Sequence, residues 1–422
     1  QEGDVMSVFW NKNDTTRQLL HGAAFIDIPT SGNGGTTSYG GNQIFTVNND
    51  IDGIGDMYLH ISAATTESIR LSGSLAAIIK RVEFHVGTQI WHTLEKEDIQ
   101  ALNMTEMPEG VFGAYHRSTY GSYQVDGAKN KLAWGTETQI PAAAGGVSGV
   151  IRIPSISRQV GPTMSKFSNA VENAYLVAAA PHQTVKVKVY LENSTYVSNN
   201  VFRKGSDDTL ALTNLPTLEL KLYGKHLIMC NEEREQMKAM PQGLPKRIKM
   251  SQNVTHTLSA HPAASEAFTV DLDHFSLFAS HLLITVIAQP GTAASGDWIT
   301  TSRSGAIDDV ELKLNSSSFS GTLKGNLLTA SAADMLGLYQ NVQPYYTGTK
   351  EQPCGIYRTY VFPLASQAFS GSSVPLNRFD NIRLTMTLPP AGPEGDATRV
   401  VVTCVGETTA LYKGGAASLA MY

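Results

Sequence analysis

The sequence predicts an all-β protein that contains two tandem copies of one β unit together with a few short helices. Strand-length segments alternate between hydrophobic and polar residues, turn-forming residues separate these segments, and the order of the segments repeats once along the chain. The chain has 422 residues, which is enough for roughly two to three domains of ordinary size.

The clearest strands are those with strict alternation. Residues 185–191 read VKVKVYL, and shorter segments of the same kind lie at residues 218–222, 310–314 and 382–388. Successive side chains of a strand point to opposite faces, so this pattern predicts strands with one buried face and one wet face. Clusters of Gly, Ser, Thr, Asn and Pro mark turns at residues 30–42, 291–296 and 389–396.

Helical patterns are scarce and short. Residues 231–240 read NEEREQMKAM, where Asn231 suits the N-cap and Pro241 ends the helix. Two acidic residues in the first turn favour the positive end of the helix dipole. Residues 94–107 and 331–339 are two further candidate helices.

Four segments of the first half have counterparts in the second half, in the same order. The pairs are FTV from Phe45 and Phe268, MYLHISA from Met57 and HLLITVI from His281, KRVEFHVG from Lys80 and DDVELKLN from Asp308, and LKLYGKHLIM from Leu220 and VTCVGETTALY from Val402. One such match arises easily by chance, whereas four in order indicate a duplication. The alternative is a single large sandwich whose halves are similar by coincidence.

Each repeated unit spans about 200 residues and roughly eight strands, which is typical of a jelly-roll barrel. We therefore predict a double jelly roll of two tandem eight-stranded barrels. Residues 1–229 would form an N-terminal arm and the first barrel, residues 230–243 a linker helix, and residues 244–422 the second barrel.

The charge of the chain argues against nucleic-acid binding. Its formal net charge is -5, and its densest basic run is only Lys246, Arg247 and Lys249, whereas nucleic-acid binding requires a strongly basic surface. Charged residues make up 16% of the chain, below the ~25% of ordinary soluble proteins, so part of the surface is expected to be covered by partners. No segment approaches the ~18–20 uninterrupted apolar residues of a membrane helix.

The cysteines predict free thiols in a reducing compartment. Cys230, Cys354 and Cys404 are odd in number and lack CxxC spacing, which is unlike a disulfide framework. Acceptor patterns for N-glycosylation matter only in a secretory compartment, and they occur at Asn13, Asn103, Asn193, Asn253 and Asn315.

No motif predicts an enzyme, a cofactor or a metal site. The nucleophile elbow GxSxG, the zinc motif HExxH and the phosphate loop GxxxxGK[ST] are all missing. The segment from Asn48 begins like a calcium loop but has Asn48 in place of the first acid and Leu59 in place of the final Glu. The histidine pairs 85/92 and 256/261 have odd spacing, which places the two rings on opposite faces of a strand.

Residues 110–127 combine several glycines with Tyr115, Tyr120 and Tyr123. We predict an exposed contact loop here, because rigid aromatic side chains suit protein interfaces. The alternative is an ordinary long loop packed by its own side chains.

Residues 339–345 read YQNVQPY and include Gln343, Pro344 and Tyr345. They resemble the aromatic-N-x-VQPY segment of a known family, the major capsid proteins of nucleocytoplasmic large DNA viruses. Residues 355–363 resemble its GIYxYxF strand. Residues 370–384 resemble its PSGSxNxSRIDNxxL signature through Gly371, Arg378, Asp380 and Asn381, although Asn377 and Phe379 depart from it.

The linker also carries the resemblance, since Glu233 and Arg234 are similar to the family's ERRRF helix. The first half carries it more weakly, and there Asp56 is similar to the family's GDLIxxxYL strand. Gly87 and Gln89 are similar to its GGQ turn, with Thr88 as a departure. The family's amino-terminal FFKxxYRRHTNF segment is only faintly matched at residues 9–19.

The resemblance implies a structural protein of the virion capsid, assembled in the host cytoplasm. Three subunits would form a pseudo-hexagonal capsomer of a large icosahedral double-stranded DNA virus. It would contact neighbouring capsomers and minor capsid proteins, and lie near an internal membrane without inserting. Residues 101–154 and 289–304 would form outer loops and trimer contacts, and residues before Phe45 would meet minor capsid proteins along the inner face.

Three alternatives remain at this point. The chain could be a paralogous minor capsid protein, which the motifs do not separate from the main shell protein. A jelly-roll carbohydrate-binding module would bind glycans on exposed aromatic residues and exist as a monomer or small dimer. A cupin-like enzyme would need histidines clustered inside one barrel.

Overall fold

The structure, a computed structural model, describes most of the chain from His21 onward. The described part is residues 21–419 without 32–35, 72–73, 126–128, 134–138, 155–174, 205–206, 213, 230, 232–233, 236–242, 259–266, 290–306, 326, 329–335, 337, 339–342, 346–354, 358, 366–372 and 389–396. It is dominated by antiparallel sheets, which confirms the predicted all-β class.

The described strands of the first half run from β1 to β14. They are β1 (His21–Ile28), β2 (Thr36–Thr37), β3 (Asn42–Thr46), β4 (Gly53–Ala64), β5 (Ile69–Leu71), β6 (Ile79–Val86), β7 (Gln89–Glu95), β8 (Ser122–Val125), β9 (Lys129–Leu132), β10 (Gly146–Ile153), β11 (Val185–Leu191), β12 (Phe202–Lys204), β13 (Asp207–Ala211) and β14 (Thr217–Met229).

The described strands of the second half run from β15 to β27. They are β15 (Leu244–Leu258), β16 (Ala267–Asp271), β17 (Phe278–Gln289), β18 (Asp309–Leu314), β19 (Ser317–Ser318), β20 (Leu323–Lys324), β21 (Gln343–Tyr345), β22 (Gly355–Tyr357), β23 (Thr359–Pro363), β24 (Val374–Pro375), β25 (Ile382–Thr387), β26 (Ala397–Lys413) and β27 (Ala416–Leu419).

The described helices are short. The α-helices are α1 (Lys96–Glu106), α2 (Glu109–Tyr120) and α3 (Ser194–Asn200), and the 3-10 helices are Leu75–Ile78, Ala142–Ala144 and Leu376–Arg378. None of them is long and apolar enough to cross a membrane.

The order of the strands within the sheets is that of a jelly roll, and it occurs twice. In the first half, β1, β3, β4, β6, β7, β10, β11 and β14 act as strands 1 to 8. They form one sheet in the order 1-8-3-6 and a second in the order 2-7-4-5. The second half has the same two orders when its strands 1 to 8 are taken, in chain order, as β15 to β19, β23, β25 and β26. The chain is therefore a double jelly roll, as predicted, with extra short strands at the sheet edges.

The repeat noted in the sequence corresponds to structurally equivalent strands. The two FTV segments lie at strand 2 of each barrel, and Gly224 and Gly406 occupy the same place in strand 8. The pairing Leu222↔Leu59 in the first barrel corresponds to Cys404↔Leu282 in the second. In strand 3, Leu59 is therefore equivalent to Leu282, whereas the sequence match aligned it with Leu283. The alignment differs by one residue because buried residues must face the same side in both barrels.

The two equivalent glycines lie where strand 8 shifts register against strand 3. A Cβ atom on Gly406 would lie 2.5 Å from the carbonyl oxygen of Phe278, and one on Gly224 would lie 2.9 Å from Cδ1 of Ile28. The irregular pairing brings a neighbouring strand too close for any side chain at Gly406.

We expect Gly406→Ala to lower the free energy of unfolding by about 1–3 kcal/mol, because the backbone oxygen of Phe278 cannot move aside as a side chain would. The control is Gly113→Ala in α2, where an added Cβ meets nothing within 4 Å. This control should be neutral or stabilise by about 0.5–1 kcal/mol. Urea denaturation measures both, and equal effects of the two changes would contradict the steric explanation.

The structure describes all of one predicted helix and parts of the other two. The helix predicted within residues 94–107 is confirmed as α1. At residues 231–240, Asn231, Arg234 and Glu235 are helical, and the others lie outside the described residues. The segment 331–339 is described only at Leu336, which is helical, and at Leu338.

The predicted contact loop at residues 110–127 is wrong. Most of this segment is helix α2, and the side chains of Tyr115, Tyr120 and Tyr123 are at most 9% exposed. The buried residues Phe112, Tyr115, His116, Thr119 and Tyr120 follow the spacing of one helix face. Gly110 and Gly113, which suggested a loop, lie on the exposed side of this helix, where the absence of a side chain is tolerated.

Residues 101–154 are largely not the loop that was predicted, because they contain the end of α1, all of α2 and strands β8 to β10. Their place at the outer end of the barrels and their trimer contacts stay predictions. Trp134 and Trp298, which were expected to make contacts in the two outer loops, lie outside the described residues. The same is true of residues 290–306.

Candidate assembly site: the polar seam between the barrels

The two barrels meet through the outer face of one sheet of the second barrel. In that sheet, Leu282 and Ile284 of β17 point into the second hydrophobic core. Leu283 and Ile287 alternate with them, point the opposite way and belong to the core of the first half. Val401 and Val405 of β26 do the same, so much of this sheet face is removed from water by contact between the barrels.

Helix α1 supplies the acidic side of this contact. Its first turn carries Glu97 and Asp98, and Glu95 and Asp98 form a capping box, which stabilises the helix start. Every residue of α1 is buried, including its polar ones. A helix buried on all sides must give each charged side chain a partner. Lys96 pairs with Glu192 of the first barrel, whereas Glu97 and Glu106 find partners across the contact. We call these polar contacts the seam. It comprises His92, Glu97, Asp98, Glu106, Arg152, Lys249, Ser251, Asn253, His281, Arg399 and Thr403.

Glu106 lies at the centre of the seam. Its Oε1 pairs with the ammonium group of Lys249 on β15, and its Oε2 is 3.7 Å from a guanidinium nitrogen of Arg152 on β10. Lys249 and Arg152 are 2% and 3% exposed at their side chains. Arg152 also donates to Oδ1 of Asn103 at 2.8 Å and to Asp56 at 3.1 Å. Burial lowers the pKa of Arg152, but the nearby Asp56 and Glu106 carboxylates outweigh it, so this pKa is raised.

Asp98 joins α1 to two strands of the second barrel. Its carboxylate accepts hydrogen bonds from the hydroxyl of Thr403 at 2.6 Å and from the amide of Asn253 at 2.5 Å. The backbone N–H of Glu95 donates to it as well, at 3.1 Å. Burial raises the pKa of Asp98 to about 6, although these hydrogen bonds favour the charged form. The preceding residue, Glu97, pairs with Arg399 of β26.

Two histidines of the seam are buried and uncharged near neutral pH. Nε2 of His92 lies 2.7 Å from the hydroxyl of Ser251 and accepts the backbone N–H of the same residue at 3.1 Å. His281 lies 3.0 Å from the hydroxyl of Ser280. Burial, with the nearby charge of Lys249, lowers the pKa of each histidine to about 3.

A further ion pair ties the segment after strand β14 to the first barrel. Arg234 donates to Oδ1 of Asp52 at 2.5 Å and to Oδ2 at 2.9 Å, and Asp52 also accepts the backbone N–H of Met229 at 2.6 Å. Asp52 is 1% exposed, so this bidentate pair is well shielded on the carboxylate side. Arg234 is a motif residue from the sequence, and its contact fixes the chain where it leaves the first barrel.

The structure does not bring the other motif residues into one site. Asp56 lies beside Arg152, whereas Gly87 takes a φ of 60° in the turn before Gln89, the first residue of β7.

The motif residues of the second half are also spread over separate elements. Arg378 ends a 3-10 helix. The backbone N–H groups of Asp380 and Asn381 donate to Oδ1 of Asn315 at 3.0 and 3.2 Å, which holds the β18–β19 turn. Gln343, Pro344 and Tyr345 form strand β21, which pairs with β22, and Glu233 and Gly371 lie outside the described residues.

The glycan acceptor patterns fall in different environments. Asn103 is fully buried and its amide donates to Tyr115 and to the carbonyl of Arg152, so its prediction as an acceptor is wrong for the folded protein. The amide of Asn253 is engaged by Asp98. Asn193 caps α3 and Asn315 lies in a turn, and both are exposed. Asn13 lies outside the described residues.

Within the described residues, no group of three His, Cys, Asp or Glu side chains could hold a metal ion. The calcium-like segment is a turn in which the backbone N–H of Asp50 donates to Asn48 at 3.2 Å. Cys404 is a free, buried thiol whose pKa is raised by that burial, and Cys230 and Cys354 lie outside the described residues.

Comparison with solved structures identifies the fold. A crystal structure of PBCV-1 VP54, fitted into a reconstruction of the virophage Sputnik, is 12% identical, with a TM-score of 0.67 over 96% of this chain and 98% of that chain. The Faustovirus major capsid protein is 10% identical, with a TM-score of 0.65 over 95% and 92% of the two chains. The mavirus major capsid protein is 10% identical, with a TM-score of 0.53 over 94% and 90%. No family model and no curated protein matches the sequence.

Proposed function

We propose that this chain is a structural capsid protein of a large icosahedral double-stranded DNA virus, and the major protein of its shell. The observation that carries the proposal is the jelly-roll strand order, which occurs twice along one chain. Solved structures with this fold over nearly their whole length include two proteins named as major capsid proteins. The residue motifs around Gln343 and Asp380 support the same assignment.

The architecture suits a shell unit because two similar barrels side by side give one subunit a pseudo-two-fold shape. Three subunits would then present six barrels as a pseudo-hexagon, and closed symmetric homo-oligomers are the common outcome for identical chains. The buried seam supports this role, because it holds the two barrels in one fixed arrangement. We propose residues 1–229, 230–243 and 244–422 as the first barrel with its arm, the linker and the second barrel.

The other partners follow from the same role. We propose that the oligomer contacts neighbouring capsomers and minor capsid proteins in the virion, after assembly in the host cytoplasm. The described acids and bases of the seam bind one another rather than facing a substrate cavity, which supports a structural rather than an enzymatic role. Two alternatives remain to be tested, a paralogous minor capsid protein and a carbohydrate-binding module.

The first test is the native mass by light scattering after gel filtration. We expect a stable species of about three times the 45.5 kDa subunit mass, because obligate interfaces of this kind bury roughly 2,000 Å² or more. Electron microscopy of concentrated protein should then show hexagonal particles. A monomer at every concentration up to about 100 μM, where even weak contacts of micromolar affinity would be occupied, would contradict the capsomer proposal and favour the glycan-binding alternative.

A further inference from the structure

The first barrel contains a cavity of about 490 Å³ between its two sheets. Within the described residues, β1 is an edge strand of the 1-8-3-6 sheet and β3 is an edge strand of the 2-7-4-5 sheet, and both contribute to the lining. Pro29 and Thr46 line the cavity too, and the backbone N–H of Thr46 donates to the carbonyl oxygen of Pro29 at 3.0 Å. This hydrogen bond joins the two sheet edges, so an extended peptide cannot enter between them at this point.

Four branched aliphatic side chains form walls of the cavity. Ile28 and Val47 are each 1% exposed and belong to the core of the first half, so they lie at its inner end. Ile26 is 40% exposed and Ile51 is half-buried, so they lie nearer the mouth. An apolar cavity of about 150 Å³ already binds benzene, and this cavity is about three times larger. It therefore has room for an extended hydrocarbon chain.

One polar side chain is buried in the lining without a partner. His226 of β14 is 3% exposed, and neither of its ring nitrogens has a hydrogen-bond partner within the described residues. Burial lowers the pKa of His226, so the ring is neutral at pH 7 and has one donor and one acceptor. Folded proteins rarely leave such a group unpaired, because the loss of its hydration is then not compensated.

The internal repeat shows that the jelly roll itself does not require this histidine. Gly224 and Gly406 are equivalent in strand 8, so the residue two positions later is His226 in the first barrel and Thr408 in the second. Each of these residues pairs with strand 1 of its own barrel. The histidine is therefore a feature of the first barrel, where it lines the cavity.

The charges around the cavity favour a neutral ligand. Asp27 and His226 are the ionisable residues among those that line it. Asp27 is exposed and carries a negative charge at pH 7, so it repels anions. A charged group beside the buried His226 would lose its hydration without gaining an opposite charge, which is unfavourable.

We propose that this cavity binds a neutral amphiphile with an unbranched hydrocarbon chain, whose polar group hydrogen-bonds to His226. The chain packs against the aliphatic walls formed by Ile28, Val47 and Ile51, and the polar group pairs the buried ring. One ligand therefore accounts for both features of the cavity. The site is independent of the proposed capsid function, because it lies within one barrel and needs no second copy of the chain.

The test is isothermal titration calorimetry of the full chain with 1-hexanol, 1-heptanol and 1-octanol. We expect one molecule to bind per chain, with a Kd that falls about fourfold for each added CH₂, as burial of a CH₂ group predicts. Octanoate and octylammonium have the same chain length with charged head groups, and they should bind at least about tenfold more weakly than 1-octanol.

Three variants locate the site. Ile51→Trp should fill the mouth and abolish 1-octanol binding. Ile90→Trp is the matched control, because Ile90 is 54% exposed on β7 and does not line the cavity, so binding should be unchanged. His226→Leu removes the hydrogen-bonding ring and should raise the Kd for 1-octanol about tenfold.

His226→Leu also guards against misfolding. If circular dichroism shows that Ile51→Trp is unfolded, His226→Leu decides, since it replaces an unpaired polar group by an apolar one and should keep the fold. The inference is overturned if 1-octanol shows no saturable binding up to its solubility limit, or if the folded cavity variants bind it as tightly as Ile90→Trp does. Tighter binding of octanoate or octylammonium than of 1-octanol would also overturn it.

Discussion

Replacing Glu106 by glutamine should lower the free energy of unfolding by about 3–5 kcal/mol, because it removes one partner from a buried ion pair. Lys249 would remain in the seam, 2% exposed, with a neutral amide in place of its carboxylate. Arg152 would lose one of its two neighbouring carboxylates. Chemical denaturation followed by tryptophan fluorescence and circular dichroism measures the loss.

The matched control makes the same change at the surface. Glu219 pairs with Lys221 at 3.1 Å, and both side chains are about half exposed, so Glu219→Gln should change stability by less than about 1 kcal/mol. Adding Lys249→Met to Glu106→Gln removes the stranded charge and should recover part of the loss, which a double-mutant cycle quantifies. If Glu106→Gln costs no more than Glu219→Gln, the seam does not depend on this charge pair.

Much of the fold could be predicted from local patterns. Strict alternation in VKVKVYL and in residues 310–314 predicted strands that the structure confirms as β11 and β18. The ordered repeat predicted two barrels, because strands of equal pattern and order close into equal sheets. Helix α2 was not predicted, because Gly110 and Gly113 are unfavourable in a helix and indicated a loop. The helical spacing of Phe112, Tyr115 and His116 was the signal for the helix.

The seam could not be predicted, because its contacts join residues that are far apart in the sequence. Glu106 and Lys249 are 143 positions apart, and Asp98 and Thr403 are 305 positions apart. Charged residues on a short helix ordinarily indicate a solvated face, and nothing in the residues around α1 shows that a second barrel covers it. The excess of acidic residues in α1 was visible, but only the fold shows that Lys249 and Arg399 lie opposite.

Acidification from pH 7 to pH 5 should lower the free energy of unfolding through the histidines of the seam. His92 and His281 have pKa values near 3 in the folded protein, against an ordinary value of 6.5. Between these values only the unfolded chain takes up the protons, so their stabilising effect is complete above pH 6.5 and is lost as the pH falls toward 3. At pH 5 the loss is about 2 kcal/mol for each histidine.

Asp98 acts in the opposite direction and allows the explanation to be tested. Its pKa is raised from 3.8 to about 6 by burial, so between these values the folded protein holds the extra proton, and Asp98 stabilises it as the pH falls. Asp98→Asn should therefore steepen the loss of stability between pH 6 and pH 4.5, whereas His92→Gln and His281→Gln should each flatten it. The quantity to compare is the slope of the free energy of unfolding against pH, because each variant also changes that free energy by an amount that does not depend on pH. If Asp98→Asn flattens the profile instead, Asp98 is ionised in the folded protein throughout this range, and its hydrogen bonds from Thr403 and Asn253 outweigh the cost of burial.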